Sequence, residues 1–227
     1  LSDGKMLVTG GSNRDSTGKE RVGRDVYIFD PSADTMTRKA DMPVARTSHG
    51  AVLLTAGASS GKVMVFAGAI PTPDESGLQP SLGAALYDLS ADAWSPAPFL
   101  GTKLFFMGWA PLPSGKILAA SGASEFGSTT ITASSTAEVF DPVANAWLPA
   151  GTMAAPHAAS GVSVALDDGS VLLAGGVKSA FEGFLTATST AERFALVAKG
   201  KACVDSGECA TGACADKLCC DTACTDT

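Results

Sequence analysis

The sequence predicts an all-β protein built from one unit repeated in tandem, and three observations predict it. First, apolar runs ending in glycine recur: "KMLVTGG" from Lys5, "KVMVFAG" from Lys62, "KILAASG" from Lys116 and "SVLLAGG" from Ser170, with starts 57, 54 and 54 residues apart. A fixed period of this size is the mark of a repeat architecture. Second, several columns keep the same register. Gly11, Gly68, Gly122 and Gly176 close the runs, and Phe29, Tyr87, Phe140 and Phe194 follow 24 or 25 residues after each start. Met36, Trp94 and Trp147 stand seven residues later, then Met42, Leu100 and Met153 six beyond, then Gly50, Gly108 and Gly161 eight beyond those. Third, the runs are rich in Val, Leu, Ile and aromatics, are bounded by Gly, Pro, Asp or Ser, and show no apolar face at helical spacing.

Within a unit each element has a local reason. The glycine-pair run is a strand whose last residues turn at φ > 0 and pack against the neighbouring sheet, which a residue without Cβ does at no steric cost. "DPSADTM", "DLSADAW" and "DPVANAW" carry turn chemistry between two strands: Pro31 and Pro142 preset φ, while Asp34, Asp92 and Asn145 tolerate left-handed geometry. These stretches predict hairpins. Four strands in about fifty residues is the size of a propeller blade, which buries both faces only between neighbours.

Four hydrophobics and a glycine pair, then aromatic-Asp-Pro, then Trp, then Met-Pro, together resemble the kelch repeat over residues 1 to about 200. The resemblance implies a kelch-type β-propeller whose innermost strand is "SHGAVLL" (48–54), "MGWAPLP" (107–113) and "SGVSVAL" (160–166). The glycine-pair strand comes second, "VYIFD", "ALYDL" and "AEVFD" third, and the Trp strand fourth. Ala67, Ser121 and Met36 depart from the pattern in single copies.

The expected organisation is a propeller fragment over 1–198, with blades at 1–43, 44–99, 100–154 and 155–198, followed by a Cys-rich segment at 199–227. Leu1–Lys5 aligns with Leu166–Ser170, the turn between first and second strands, so blade one is expected to lack its inner strand. Lys201 stands where a Trp is due, so blade four is expected to lack its outer strand. Since related rings close with six or seven blades, the remaining blades are expected in a longer parent chain.

A net charge of −7 argues against nucleic-acid or anionic-lipid partners. No apolar run is long enough to span a bilayer as a helix, the best candidate at 51–70 being interrupted by Ser59-Ser60-Gly61-Lys62. All six cysteines, Cys203, Cys209, Cys214, Cys219, Cys220 and Cys224, fall in the last 25 residues. The spacing contains no C-x2-C pair and no nearby His, so disulfides are favoured over zinc. Fifteen connectivities are open, with Cys219 and Cys220 expected to take different partners and some partners expected beyond the chain. The segment resembles Cys-rich tails of secreted and surface proteins of myxobacteria and their relatives, which implies a bacterial extracellular or cell-surface location.

No catalytic, metal or cofactor constellation is recognised. A galactose-oxidase-like copper site, the sharpest function a kelch propeller implies, needs two tyrosines, two histidines and a cysteine near the axis. The blades hold Tyr27, Tyr87, His49 and His157 and no cysteine. Asp167-Asp168-Gly169-Ser170 reads as a turn rather than a calcium loop, since it lacks the further alternating oxygens. Function is expected in the loops after the glycine pairs, 12–24, 70–83, 123–135 and 177–189, which vary while the strands keep register. The candidate binding residues are Arg14, Arg21, Arg24, Phe126, Phe181 and Phe184 in these loops, with Arg46, His49 and His157 near the inner strands. The expectation is a non-catalytic module that binds protein or carbohydrate. A fragment of a copper oxidase with ligands elsewhere, or a spacer of the cell envelope, are the alternatives.

Overall fold

Every residue of Val63–Phe66 is buried, as are those of Ile117–Ala120. Strands without a polar face belong to sheets covered on both sides, and the computed structural model, which describes residues 1–126, 130–158, 162–181 and 184–221, shows what covers them. The chain runs through strands β1 (Met6–Thr9), β2 (Ser12–Arg14), β3 (Glu20–Val22), β4 (Val26–Asp30) and β5 (Thr35–Arg38) in unit one. Unit two holds β6 (Gly50–Leu53), β7 (Val63–Phe66), β8 (Ala69–Pro71), β9 (Leu78–Pro80), β10 (Ala84–Asp88) and β11 (Ala93–Pro96). Unit three holds β12 (Gly108–Pro111), β13 (Ile117–Ala120), β14 (Ala123–Phe126), β15 (Thr130–Ala133), β16 (Thr136–Asp141) and β17 (Ala146–Thr152). Unit four holds β18 (Val162–Ala165), β19 (Val171–Ala174), β20 (Val177–Phe181), β21 (Phe184–Ala187) and β22 (Ala191–Phe194).

The main sheets are ordered β1-β4-β5, β6-β7-β10-β11, β12-β13-β16-β17 and β18-β19-β22, every pairing antiparallel. This is an arc of four propeller blades with three strands in the first and last, and it matches the expected strand order. Asp34, Asp92 and Asn145 adopt φ of 50°, 50° and 52° at the outer hairpins. Asp30 and Asp88 each hold their hairpin by accepting from a serine N–H and hydroxyl two residues on and from the next N–H. The glycine-pair positions all lie at φ > 0, Ala67 and Ser121 included, at 56° and 59°. At Gly68 a Cβ would fall 2.6 Å from the Thr47 carbonyl oxygen, so the glycine is needed because the link entering the inner strand passes directly over it.

One column slips. Val162 pairs with Ala174 where Gly50 pairs with Phe66 and Gly108 with Ala120. Val162, not Gly161, therefore holds that ladder position, and Gly161 itself lies outside the described residues. Unit four spends one more residue between Ala158 and the inner strand than its counterparts spend after Thr47 and Phe105.

The core lies between sheets. Val65 and Ala85 meet Val26, Met42 and Leu7 at the first joint; Phe66 and Met64 meet Ile117, Phe140 and Trp147 at the second; Leu118 and Val139 meet Val171 and Leu173 at the third. At Gly108 a Cβ would lie 2.7 Å from Leu173 of the next sheet, the close approach a bare backbone permits. Ser163 clasps Trp109 across the third joint, its hydroxyl accepting from the Trp109 N–H and donating to the Trp109 carbonyl.

The Cys-rich segment docks on blade three. Its 3-10 turn (Ser206–Glu208) lies against β17, with Gly207 over the carbonyl oxygens of Leu148 and Pro149, and a short hairpin of β23 (Ala213–Ala215) and β24 (Leu218–Cys220) follows. The disulfides are Cys203–Cys214 and Cys209–Cys219. Cys220 is also disulfide-bonded, Cys224 lies outside the described residues, and no described cysteine is free. The expectation that bonding partners are missing is corrected for those five. The three sulfurs that approach within 4.8 Å of one another, on Cys203, Cys209 and Cys219, are all disulfide sulfurs and offer no thiolate to a metal.

Candidate binding surface

The segments after the glycine pairs are not the open loops expected but antiparallel hairpins, β2–β3, β8–β9, β14–β15 and β20–β21. Their strands are only three to five residues long and mix small, polar and apolar residues, too short for a hydrophobic alternation to announce them. The neighbouring ladder strands hold the two hairpin ends at pairing distance, and the glycine turn starts them. β15 also pairs with β20 of the next blade, through Thr130↔Phe181, Ile131↔Ala180 and Thr132↔Ser179, and β9 lies against β14. The last three hairpins thus join into a rim along one side of the arc, and the β2–β3 hairpin faces its first member across a cleft.

Between the β2–β3 and β8–β9 hairpins lies a cleft of about 430 Å³, with Lys19, Glu20, Arg21, Arg24, Glu75 and Leu78 among its walls. Two aspartates build those walls. Asp15 accepts from the Thr17 N–H and hydroxyl, the Lys19 N–H and, at 3.0 Å, Arg21 Nε. The Thr17 hydroxyl first, then its N–H, hold the Asp15 carboxyl down to about 2. Asp74 plays the same part at the other hairpin tip, its carboxyl lowered to about 2 by Thr72 and Ser76. Arg24 reaches Asp41 at 3.8 Å, and Arg14 is exposed on β2, opposite Glu20. A smaller recess of about 150 Å³ shares Glu20 and Leu78 with the cleft and is closed on the inner side by Ser48, Phe105 and Phe106.

The other candidates fall elsewhere. Arg46 is buried, and its guanidinium donates to the carbonyls of Ala67 and Gly83 at 2.9 Å each, while burial lowers its pKa to about 10. His157 is buried at the equivalent place two blades on, bonded to the Gly175 carbonyl at 2.7 Å and to Glu192 at 3.3 Å. His49 bonds Thr9 Oγ1 through Nε2 at 2.8 Å, and its Nδ1 is enclosed without a partner. Arg46 and His157 thus tie the link entering the inner strand to their own blade, and His49 bonds across the first joint to Thr9. Phe126, Phe181 and Phe184 lie in rim strands, and their side chains are outside the described residues. Tyr87, buried in β10, donates to Asp92 at 2.5 Å in the outer hairpin, and it is not brought together with either histidine.

The sequence reading missed a repeated device. Glu138 accepts from the N–H groups of Gly101 and Thr102, and Glu192 from those of Ala154 and Ala155, so each carboxylate fixes the link entering its own blade's inner strand. Desolvation raises the Glu192 pKa, but the two N–H donors and His157 outweigh it and leave it lowered. The signal was there: "STAE" precedes both Val139-Phe140 and Arg193-Phe194.

Rim and cleft define the class as a β-propeller arc with one face built of hairpins. No family model and no curated protein matches the chain. Among solved structures it is similar to that of YjhT, at 18% identity and a TM-score of 0.62, over 77% of this chain and 56% of YjhT. The chain therefore spans little more than half the length of that protein, and at this identity the likeness concerns the fold.

Proposed function

We propose that this chain is the binding portion of a non-catalytic, extracellular or cell-surface kelch-type propeller, which takes a protein or carbohydrate partner on its hairpin rim. The observation that carries the reading is the cleft between two hairpins whose tips are each pinned by an aspartate, a preformed concave site on a rigid scaffold. The disulfides support an oxidising compartment. Further blades on both flanks complete the ring, a reading supported by apolar positions on the end sheets that the inner sheets bury. Tyr87, His49 and His157 are each engaged within the fold, which supports binding over copper chemistry.

The test is saturable binding on a glycan array and a peptide array, repeated with the tips at 15–19 and 72–77 replaced by Gly-Ser turns. Binding that disappears in the tip variants while circular dichroism is unchanged is the expected result. Absence of binding on both arrays, or binding indifferent to both tips, refutes it.

A further inference from the structure

Phe106 sits at φ 50°, a left-handed conformation that Gly or Asn adopts with little strain and a bulky aromatic does not. The fold imposes the conformation, because Ser48 at the same repeat position has φ 54° and the link here is pressed onto the second glycine of the pair. A Cβ on Gly122 would lie 2.9 Å from the Phe105 carbonyl oxygen and from Met107 Cβ. The residue is therefore one the backbone would take more readily as glycine, and its ring is not repaid by burial. Phe106 is 41% exposed and meets buried Phe105 with ring centroids 5.0 Å apart and planes tilted by 47°. Strain kept for the sake of an exposed ring points to a binding role.

The surroundings name the ligand chemistry. Phe106 lines the 150 Å³ recess together with Ser12, Ser48 and Glu20, the last being the one charged residue among the described residues that line it. Of the cationic side chains nearby, Lys19, Arg21 and Arg24 line the outer cleft, where Arg21 and Arg24 face Asp15 and Asp41, and Arg14 stands opposite Glu20 without lining the recess. An aromatic face carries partial negative charge and accepts the C–H groups that a pyranose ring presents on one side. A carboxylate accepts sugar hydroxyls in charge-assisted hydrogen bonds, and repels a carboxylated or sulfated sugar. Glu20 and Leu78 line both compartments, so the recess adjoins the cleft and the two together make a trough.

We infer that the trough from the β2–β3 and β8–β9 tips to Phe106 binds an uncharged oligosaccharide, with one sugar ring stacked on Phe106 and its hydroxyls held by Glu20. The inference rests on the proposed binding role and specifies its ligand. It is tested by calorimetry of the full chain with cellohexaose, chitohexaose, maltohexaose and a galacturonic acid hexamer. At least one of the three neutral sugars is expected to bind and the acidic one is not. Phe106→Gly is expected to weaken binding by about tenfold or more with a melting temperature unchanged or raised, since it relieves the left-handed strain. Phe106→Trp retains binding, and Glu20→Gln weakens it severalfold while lifting the exclusion of the acidic hexamer. The inference is overturned if no neutral hexamer binds, if Phe106→Gly binds as the parent does, or if the acidic hexamer binds equally well. Peptide-array binding that survives those results leaves the broader binding role standing and removes only this one.

Discussion

His49 is held in the first joint with one ring nitrogen on Thr9 and the other enclosed, and burial first, then the charge of Arg46, lowers its pKa to about 4. Unfolded, the same imidazole titrates near 6.5. Between those values the unfolded chain binds the proton better, so stability present at neutral pH is lost as pH falls from about 6.5 towards 4. The loss is at most roughly 3 kcal/mol, and less for a side chain that water partly reaches. Thermal midpoints of His49→Gln should stay flat across that window while those of the parent fall; parallel curves would remove the role. Asp15, Asp74 and Asp88, each lowered to about 2, act in a separate window, losing their contribution as pH drops below about 4. Glu138 is a second residue with a measurable part. Glu138→Ala strands two link N–H groups and should cost about 2 kcal/mol or more in urea unfolding, with Glu138→Gln intermediate because its amide oxygen still accepts from one of them.

Three elements carry the same cross-strand ion pair in three settings. Lys5 and Asp30, Lys62 and Asp88, and Lys116 and Asp141 lie at equivalent repeat positions, 3.5, 3.3 and 3.1 Å apart. The first two pairs are partly exposed, whereas the third, with side chains 7% and 11% accessible, is covered by the Cys-rich segment, and Lys116 also donates to the Cys209 carbonyl. An exposed pair adds under about 1 kcal/mol, but removing one member of a buried pair costs about 3–5 kcal/mol. Lys62→Ala should therefore barely move the unfolding midpoint. Lys116→Ala should lower it clearly and expose residues 199–221 to protease; equal effects would contradict the buried setting. Docking of this segment was not legible in the sequence. Lys116 and Asp141 occupy the positions their counterparts occupy, and the partner that buries them, the Cys209 carbonyl, is 93 residues away. The outer hairpins were legible, because Asp, Pro and Asn state local geometry within a few residues. The rim hairpins were not, since their pairing is set by neighbouring strands.

Across the whole arc, burial depends on neighbours. Val8 is 46% exposed on the outward face of β1, while Val65, Ala119 and Leu173 at the same position are buried at the joints. Val164 is 45% exposed on the far face of β18, where the equivalent Val52 and Ala110 are buried. The flanks thus present the apolar stripes that interior joints use, a surface that drives association when uncovered. The chain on its own should associate with rising concentration in analytical ultracentrifugation. Val8→Lys with Val164→Lys should suppress that association and leave the melting temperature within experimental scatter. Association unchanged by the double variant would mean the flanks are not what meets. A core control runs the other way: Phe66→Ala, at the second joint, should cost about 3–5 kcal/mol.

By itself the sequence determined the all-β class, the period, the strand order within a sheet and the incomplete end sheets. Each is written in local alternation, turn residues and spacing that a chain carries before it folds. Only the tertiary structure decided that Arg46 and His157 are buried against their own blades and His49 partly buried at the first joint, that Phe106 lines a recess from a strained link, and that the Cys-rich segment covers part of blade three. Those outcomes depend on which surfaces meet across tens of residues, and a residue's type does not say whether its neighbour in space will bury it or leave it to a ligand.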